Sequence, residues 1–432
     1  MTRFDLSRRS ALRMFSLGAL GVAGSGALSA CAPSSGSNSN GGDTGAKDFH
    51  FTSWSMNEEA ARPAVQKIVS NWEKLKSTSI KTTSYPYNEY LSQLAVKLGG
   101  GQVTGAVQLD IAWLGTIAQT GKLADLGTKA PEGHYTDVAL ESGTYNGKQL
   151  GLPWTTGSIG LVANGKLLEQ AGITKHPTTT EEFESALREL KALGGGLVPY
   201  AAATKVAQLK DIFPWMQTFG CTLLEGNRVT IGDDASIDAV TWYKRLYDER
   251  LISADVDRFD ARALFAQGRA AFYDDALVGK GVIAAQAKDK KLADAMQPVA
   301  RPVLQKGDIP RALLWGQVIV IVRGHGQDAA TEFALHTTSD RKTVTDYFEQ
   351  LALPPTTTEG LEDPKVQGDT FTTGWTDKIT GTATSSPFWR FAKNSQIEEA
   401  VAKQVQAVLV GSATPKNAMR EAGQAVKDLI QD

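Results

Sequence analysis

The sequence has few cysteines and no excess of charge of one sign. Its 432 residues include two cysteines, and 45 basic against 47 acidic side chains leave a formal net charge of −2. A chain without a basic excess lacks the patch that nucleic-acid binding requires, so we expect no nucleic-acid partner. Cys221 follows Phe219-Gly220 in an apolar context, which favours a buried and unreactive thiol over a catalytic one.

Motifs of catalysis and cofactor binding are also lacking. There is no phosphate-binding loop with its lysine, no dinucleotide-type glycine fingerprint and no His-Glu-x-x-His. The five histidines are far apart, without a second ligand at metal-site spacing. The pairs Glu58-Glu59 and Asp274-Asp275 are poor evidence for a glycosidase, because adjacent carboxylates are common on solvated surfaces. These absences favour binding without turnover, with no catalytic residue, cofactor or metal.

The first 31 residues have the pattern of a bacterial export signal. Arg8-Arg9 precedes an apolar run, as in twin-arginine signals. Residues 14–30 include four glycines and three serines, and the run is shorter than the roughly 20 residues that span a bilayer. This argues against a transmembrane anchor. The run ends in Leu28-Ser29-Ala30-Cys31, which resembles a lipobox, in which the cysteine is lipidated and becomes the mature N-terminus.

We therefore predict a cell-surface protein, exported by the twin-arginine route and held on the outer face of the cytoplasmic membrane by a lipid at Cys31. Residues 32–47 are rich in Ser, Gly and Asn and are predicted to form a flexible tether. The remaining body, about 385 residues, is too long for one ordinary core, so two lobes are expected.

The body begins with alternating strand and helix patterns. Strands are predicted at residues 49–54, 80–85 and 109–114, with a helix between each pair. This alternation is typical of a largely parallel α/β sheet. A capping box, Thr179 with Glu182, predicts a helix start, and Ser339 is predicted to cap a later helix. Pro415 is expected at the first position of the last helix.

Many short motifs occur in one order along the mature chain. They are Tyr87-Asn88-Glu89-Tyr90, Leu109-Asp110-Ile111, Gly121-Lys122-Leu123-Ala124-Asp125-Leu126, Tyr145-Asn146-Gly147-Lys148, Gly151-Leu152-Pro153, Asn164 before Leu167-Leu168, Ala171-Gly172-Ile173, Pro177 before Glu181-Glu182-Phe183, the stretch from Gly268 to Asp274, and Gly411-Ser412-Ala413-Thr414-Pro415. The ordered set, together with the lipobox, resembles the family 1 extracellular solute-binding proteins of bacterial ABC importers, the maltose-binding-protein-like group.

The resemblance implies an α/β fold of the type II periplasmic-binding-protein kind. Each of two lobes would be a mostly parallel sheet flanked by helices, joined by a hinge of several crossing segments that closes on a ligand. We place lobe 1 at residues 48–154 plus 316–364 and lobe 2 at residues 155–315 plus 365–432. Crossings are expected near residues 153–157, 315–317 and 361–367. The implied partners are a small-molecule ligand, usually a sugar, and a transmembrane permease; the protein is expected to be a monomer.

Sugars present apolar faces that aromatic rings cover and hydroxyl groups that polar side chains bind. Ligands of α/β sheets also lie at the carboxyl ends of strands. The predicted ligand-binding residues are tryptophans near strand ends, crossings and the C-terminal region, with the polar residues beside them: Trp54, Asn57, Glu58, Trp113, Trp154, Trp215, Asp274, Trp315, Gln317 and Trp389. Trp72 and Trp242 are predicted to lie on helix core faces, and Trp375 is left unassigned.

Two alternatives remain open at the level of sequence. Gly157 occupies a position where maltose-binding relatives often have an acid, which argues against maltodextrin as the ligand. The same fold could bind a polyamine, a metal chelate or a phosphate ester, although a polyamine needs several carboxylates and a phosphate ester needs arginines or helix N-termini. An exported enzyme is the other alternative, and no motif supports it.

Overall fold

The computed structural model describes residues 43–130 and 133–431. The predicted export signal, its lipidation site Cys31 and most of the predicted tether lie outside the described residues. Within the described ranges, every helix is too short or too polar to cross a membrane.

The strands of the described residues vary in length from two to fourteen residues. They are Phe49–Thr52 (β1), Ile80–Thr83 (β2), Gly105–Asp110 (β3), Thr144–Tyr145 (β4), Lys148–Gln149 (β5), Gly151–Asn164 (β6), Val198–Ala201 (β7), Leu224–Glu225 (β8), Arg228–Val229 (β9), Ala270–Asp275 (β10), Met296–Val299 (β11), Ala312–Val322 (β12) and Ala383–Thr384 (β13).

The α-helices of the described residues lie between these strands and fill the C-terminal quarter. They are Arg62–Lys76 (α1), Tyr87–Gly99 (α2), Leu114–Ala118 (α3), Asp137–Ser142 (α4), Gly165–Gln170 (α5), Thr180–Ala192 (α6), Ile212–Thr218 (α7), Asp234–Asp248 (α8), Arg258–Ala266 (α9), Val278–Gln286 (α10), Gln327–Ser339 (α11), Arg341–Leu351 (α12), Thr358–Leu361 (α13), Pro364–Gln367 (α14), Thr370–Lys378 (α15), Asn394–Leu409 (α16) and Pro415–Gln431 (α17). Short 3-10 turns cover Trp54–Asn57, Ile111–Trp113, Leu209–Asp211, Ala293–Ala295 and Thr380–Thr382.

The main sheet has the strand order β2-β1-β3-β12-β6-β10-β7, with β11 beside β6 and β13 beside β12. Strands that follow one another through helices are parallel: β1 pairs in parallel with β2 and β3, and β7 with β10. Parallel neighbours are expected here, because strands connected through a helix can return to the same edge of the sheet and run in the same direction. The long strands β6 and β12 pair antiparallel with each other and join the two parallel groups.

Strand β6 changes partners along its length. Its first part, up to Ile159, pairs with β12, and its last part pairs with β10 and β11. Strand β12 in turn pairs with β3 from Gln317 onward. The β6–β12 pair therefore connects two groups of strands. The first group is β2, β1 and β3, and the second is β10, β7 and β11. Side chains on one face of the pair lie where the two groups meet.

Most local predictions are confirmed, and two are wrong. The capping box of Thr179 and Glu182 is present, and α17 begins at Pro415. The third strand ends at Asp110 instead of continuing to residue 114, because the Asp110 carboxylate caps a 3-10 turn by accepting from the Ala112 amide. The cap of α12 is Asp340, one residue after the predicted Ser339; its carboxylate accepts from the Thr343 amide.

Large aromatic side chains make up much of the buried interior. Trp72, Trp242 and Cys221 are buried, as predicted. Trp375 is fully buried and its indole Nε1 donates to Ser158 Oγ at 3.0 Å. Burial raises the pKa of the Cys221 thiol to about 11, so this cysteine is a packing residue at neutral pH.

Candidate functional site

A cavity lies beside the β6–β12 pair, with walls from both groups of strands. The space between its walls, counted together with the open mouth, is about 490 Å³, but only about 30 Å³ of it admits a water-sized sphere, so the walls lie close together in this structure. One wall is aromatic and comes from the 3-10 turn after β1, the start of α2, and α12. The opposite wall comes from α9 and the segment before α7 and carries arginines.

The aromatic wall is built around Trp54. Because this residue follows β1 directly, the strand end sets its position; the side chain is buried and meets Tyr87 edge to face, with ring centroids 5.5 Å apart. Trp113 also packs edge to face on Trp54, at 5.7 Å, and lies 5.0 Å from the Tyr87 ring. Trp54 and Tyr87 line the cavity together with Trp315 of β12 and Tyr347 of α12. Rings held by packing present flat faces with little conformational entropy to lose on binding.

Asp110 fixes two of these rings. Its Oδ2 atom accepts from the Tyr87 hydroxyl at 2.6 Å and from the Trp315 indole Nε1 at 3.1 Å, while Oδ1 accepts from the Ala112 amide at 2.9 Å. Burial, and then the nearby Asp110 charge, raise the pKa of Tyr87 well above its usual value, so this hydroxyl stays protonated and donates. Asp110 is therefore a positioning residue, and it is almost fully buried itself.

Gly157 leaves open space beside Trp315. The two residues are direct partners in the β6–β12 pair, so a side chain at 157 would lie on the same face as the indole. A β-carbon placed at Gly157 would meet no atom within 4 Å. Gln317, two residues after Trp315, points to the same face, and its Oε1 accepts from Gln108 Nε2 at 2.9 Å. That hydrogen bond fixes the amide and leaves its own NH₂ group as a donor.

The arginine wall presents Arg258 and Arg262, four residues apart on α9 and so on one helix face. Arg258 NH2 donates to both carboxylate oxygens of Asp211, at 2.7 and 2.6 Å. Arg262 donates from Nε and NH2 to the two oxygens of Asp275, each at 2.7 Å. All four side chains are at least nine-tenths buried. Each arginine therefore lines the cavity with its counter-charge behind it.

Glu58 faces these arginines from the end of the turn that carries Trp54. It lines the cavity and is half-buried, and its carboxylate, unlike its backbone groups, has no hydrogen bond or ion pair within the described part of the chain. Burial raises the pKa of its carboxyl group; the Arg262 charge acts in the opposite direction and Asp275 in the same one. A ligand that donates to this carboxylate would supply the partner that the protein does not.

The cavity mouth is bridged by amide side chains from both walls. Gln208 Nε2 donates to Asn88 Oδ1 at 2.9 Å, and Asn88 Nδ2 donates to Asp257 Oδ2 at 3.3 Å. Asn88 belongs to α2 and Asp257 caps α9, so the contact joins the aromatic wall to the arginine wall.

Of the ten predicted ligand-binding residues, the structure brings four together at the cavity: Trp54, Glu58, Trp315 and Gln317. The other six do not line it. Asn57 is exposed at the end of its turn, and Trp113 packs behind Trp54. Trp154 is buried behind the cavity and stacks on Tyr347, with ring centroids 4.7 Å apart.

Asp274 and Trp215 belong to a separate buried cluster. Asp274 accepts from Arg301 NH2 at 2.5 Å and from the Tyr200 hydroxyl, so both of its oxygens are used. The Arg301 guanidinium lies over the Trp215 ring, 4.6 Å from its centroid. The carboxylate does not reach the cavity because Asp274 and Asp275 alternate across β10, and it is Asp275 that pairs with cavity-lining Arg262.

Trp389 lines a different groove. This half-buried tryptophan lies with Leu314, Tyr145 and Arg390 at a groove of about 1,110 Å³, including its open mouth. Leu314 and Trp315 are consecutive in β12, so their side chains point to opposite faces of the strand pair. The groove therefore lies on the far side of the strand pair from the cavity.

The sequence did not point to most of the residues that line the cavity, among them Tyr87, Gln208, Arg258, Arg262 and Tyr347. The motif containing Tyr87 was visible, but arginines four apart on a helix also occur on solvated faces. Arg258 and Arg262 can be buried because Asp211 and Asp275 neutralise them. These carboxylates come from other elements of the chain, so the pairing is not visible in the sequence around α9. Among the described residues, no group of three or more His, Cys, Asp or Glu side chains is placed to hold a metal ion.

The chain was compared with known proteins. Residues 67–373 match the model of a family described as bacterial extracellular solute-binding protein. A search of curated proteins finds no match. Solved structures with the same fold include the GacH receptor of Streptomyces glaucescens, also studied with acarbose, at 22% identity and TM-score 0.80, covering 89% of this chain and 98% of that one.

Two further solved structures are similar over their full lengths. Maltose-bound MalE3 of T. maritima is 20% identical, with TM-score 0.79 over 88% of this chain and 99% of that one. A solute-binding protein of an ABC transporter from Thermotoga lettingae, bound to α-D-tagatose, is 20% identical, with TM-score 0.79 over 89% and 100%. At identities of 20–22%, these similarities establish the fold that the chain shares with these proteins, and no more than the fold.

Proposed function

Because this chain belongs to the bacterial extracellular solute-binding proteins, we propose that it captures a carbohydrate in the cavity beside the β6–β12 pair and delivers it to a membrane permease of an ABC importer. The family match and the fold confirm the predicted two-lobe periplasmic-binding-protein architecture. The protein is accordingly an exported binding protein and not an enzyme.

The observation that carries the carbohydrate assignment is the composition of the cavity walls. Trp54, Tyr87 and Trp315 offer ring faces for the apolar face of a sugar, and open space lies beside the Trp315 indole. Glu58 offers an acceptor and Arg258 offers donors for its hydroxyl groups. Relatives with this fold are described as bound to maltose and to α-D-tagatose, which supports the same ligand class here.

The lobes and their motion are part of this proposal. The strands β6 and β12 would serve as two of the crossing segments, with the predicted boundaries near residues 154 and 316. The mouth contact between Asn88 and Gln208 would form when the lobes close and separate when they open. A closed cavity with its ligand is the form that a permease would recognise.

Anchoring completes the proposal. Lipidation at Cys31 after twin-arginine export would hold the monomeric protein at the outer face of the cytoplasmic membrane, and the Ser/Gly/Asn-rich segment would give it reach. The permease and the binding protein would then meet on the same surface.

A thermal-shift panel tests the assignment. The purified protein is heated with mono- and oligosaccharides, with polyamines and phosphate esters as alternatives. A sugar at one hundred times its dissociation constant adds about 2.7 kcal/mol of stability, which should raise the Tm by a few degrees. A shift with a sugar that is not consumed supports the proposal. A shift only with a polyamine or a phosphate ester would keep the fold and overturn the ligand class.

A further inference from the structure

The charges around the cavity do not balance. Two ion pairs, Arg258 with Asp211 and Arg262 with Asp275, are each neutral as units. Lys210 and Glu398, both largely buried, lie 3.4 Å apart and form a third neutral unit behind Asp110. These pairs neutralise both arginines of the cavity wall and Lys210, and among the described charged groups that line the cavity or hydrogen-bond its aromatic rings they leave two carboxylates over.

The two remaining carboxylates are Glu58 and Asp110. Asp110 is 1% exposed and bonds only neutral donors, the Tyr87 hydroxyl, the Trp315 indole and a backbone amide. Glu58 lines the cavity, and its carboxylate has no hydrogen bond or ion pair among the described residues; the charge of Arg262 acts on it, but that guanidinium is already bonded to Asp275. The three ion pairs together with Glu58 and Asp110 therefore have a formal charge of −2. A ligand that closes the cavity without a positive charge would leave Glu58 charged, unpaired and further removed from water, which is costly.

Unpartnered polar atoms at the cavity indicate what else the ligand carries. Gln208 is 1% exposed and its Oε1 has no hydrogen-bond donor, while Arg258 is 8% exposed and its Nε has no acceptor. Both residues line the cavity. The site thus lacks both a donor and an acceptor, in addition to the missing positive charge.

We propose that the captured carbohydrate is an amino sugar, whose protonated amine binds Glu58 and whose hydroxyl groups bind Gln208 and Arg258. This inference rests on the proposed function, since it names the sugar class of the same cavity. A polyamine would satisfy Glu58 but would leave Arg258 without an acceptor. A sugar acid would satisfy Arg258, but Glu58 and Asp110 would repel it. The aromatic rings of Trp54 and Trp315 also favour a cation over a neutral group.

The test is calorimetric titration of the full-length chain, purified in detergent, at about pH 6, where an aliphatic amine is protonated. The probes are glucosamine, galactosamine and mannosamine, each beside its parent hexose, its N-acetyl derivative and its uronic acid, with putrescine as the polyamine. We expect one amino sugar to bind at least about 10-fold more tightly than its parent hexose and its N-acetyl derivative, a difference of about 1.4 kcal/mol.

Two variants locate the preference. Glu58→Gln keeps the size of the side chain and removes the charge, so the ratio between amine and parent sugar should fall to within about threefold. Glu59→Gln changes the neighbouring exposed carboxylate, which does not line the cavity, and should leave the ratio as in the unmodified protein. Thermal melts of both variants establish that they are folded before the ratios are compared.

The outcomes separate this inference from the proposed function. Equal or tighter binding of a parent hexose, an N-acetyl sugar or a uronic acid overturns the amino-sugar inference and leaves carbohydrate capture standing. Binding of putrescine without any sugar overturns both. An amine preference that survives Glu58→Gln also overturns the inference, because the charge would then lie elsewhere. Binding of none of the probes overturns the amino-sugar inference, and carbohydrate capture is then decided by the oligosaccharides of the thermal-shift panel.

Discussion

Replacing Asp211 with asparagine should lower the free energy of unfolding by about 3 kcal/mol or more. Asp211 is the counter-ion of Arg258, and both side chains are more than nine-tenths buried. The substitution leaves the Arg258 guanidinium without its charge partner in a site that water barely reaches. Removing one member of a buried ion pair typically costs about 3–5 kcal/mol, because the other charge stays uncompensated.

The assay is urea unfolding followed by circular dichroism, with a surface pair as the matched control. Lys76 and Glu332 also form an ion pair, at 2.9 Å, but both side chains are about half exposed. Glu332→Gln should therefore cost no more than about 0.5 kcal/mol. A double variant, Arg258→Met with Asp211→Leu, removes both charges and should recover most of the lost stability. An Asp211→Asn loss no larger than that of the control would refute the view that Arg258 is a neutralised, buried wall of the cavity.

Three further predictions rest on the structure, and a fourth, on Cys31, rests on the sequence. Trp315→Ala should weaken binding of the captured sugar by at least about 1 kcal/mol, roughly fivefold in Kd, by calorimetry, and unchanged affinity would remove Trp315 from the site. Because burial raises the pKa of Glu58, its ionisation opposes folding. Glu58→Gln should therefore be more stable than the unmodified protein near pH 7, and this advantage should disappear as the pH falls through the raised pKa towards the ordinary value of 4.5, measured by urea unfolding at each pH. Cys221, with a pKa of about 11, should resist iodoacetamide in the folded protein and react once urea unfolds it. Cys31→Ser should move the protein from the membrane fraction to the soluble fraction with unchanged Tm, and membrane retention would argue against lipidation.

Much of the fold could be predicted from the sequence, because the elements that local sequence patterns favour are the elements that the folded protein contains. The alternation of strand and helix, the Thr179 capping box and Pro415 at the start of α17 all depend on neighbouring residues alone. The end of the third strand could not be placed, since residues 109–114 are apolar enough to continue it. Only the Asp110 side chain, which accepts from Ala112 and holds Tyr87, decides that the strand stops there.

The cavity was predictable to a smaller extent. Trp315 and Gln317 lie in β12, and Trp54 and Glu58 lie in and just after the turn that follows β1, where sheet topology places ligand sites; the structure brings all four to the cavity. The arginine wall could not be predicted from the sequence. Arginines four residues apart on a helix give the same pattern whether they face solvent or a buried carboxylate.

Tertiary partners explain why Asp274 lies elsewhere. It sits at the predicted strand end, but Arg301, which is distant in sequence, binds it inside the second group of strands. Trp389 illustrates the same limit. It was predicted from its resemblance to a C-terminal aromatic of maltose-binding relatives, and only the alternation of Leu314 and Trp315 along β12 separates its groove from the cavity.

The most direct test of the central claim is a crystal structure of the protein grown with the sugar that gives the largest thermal shift. We predict electron density for the sugar in the cavity between Trp315 and Arg258, with a polar group within hydrogen-bond distance of Glu58. Density in the groove of Trp389 instead, or no sugar between the two walls, would contradict the assignment of this cavity as the capture site.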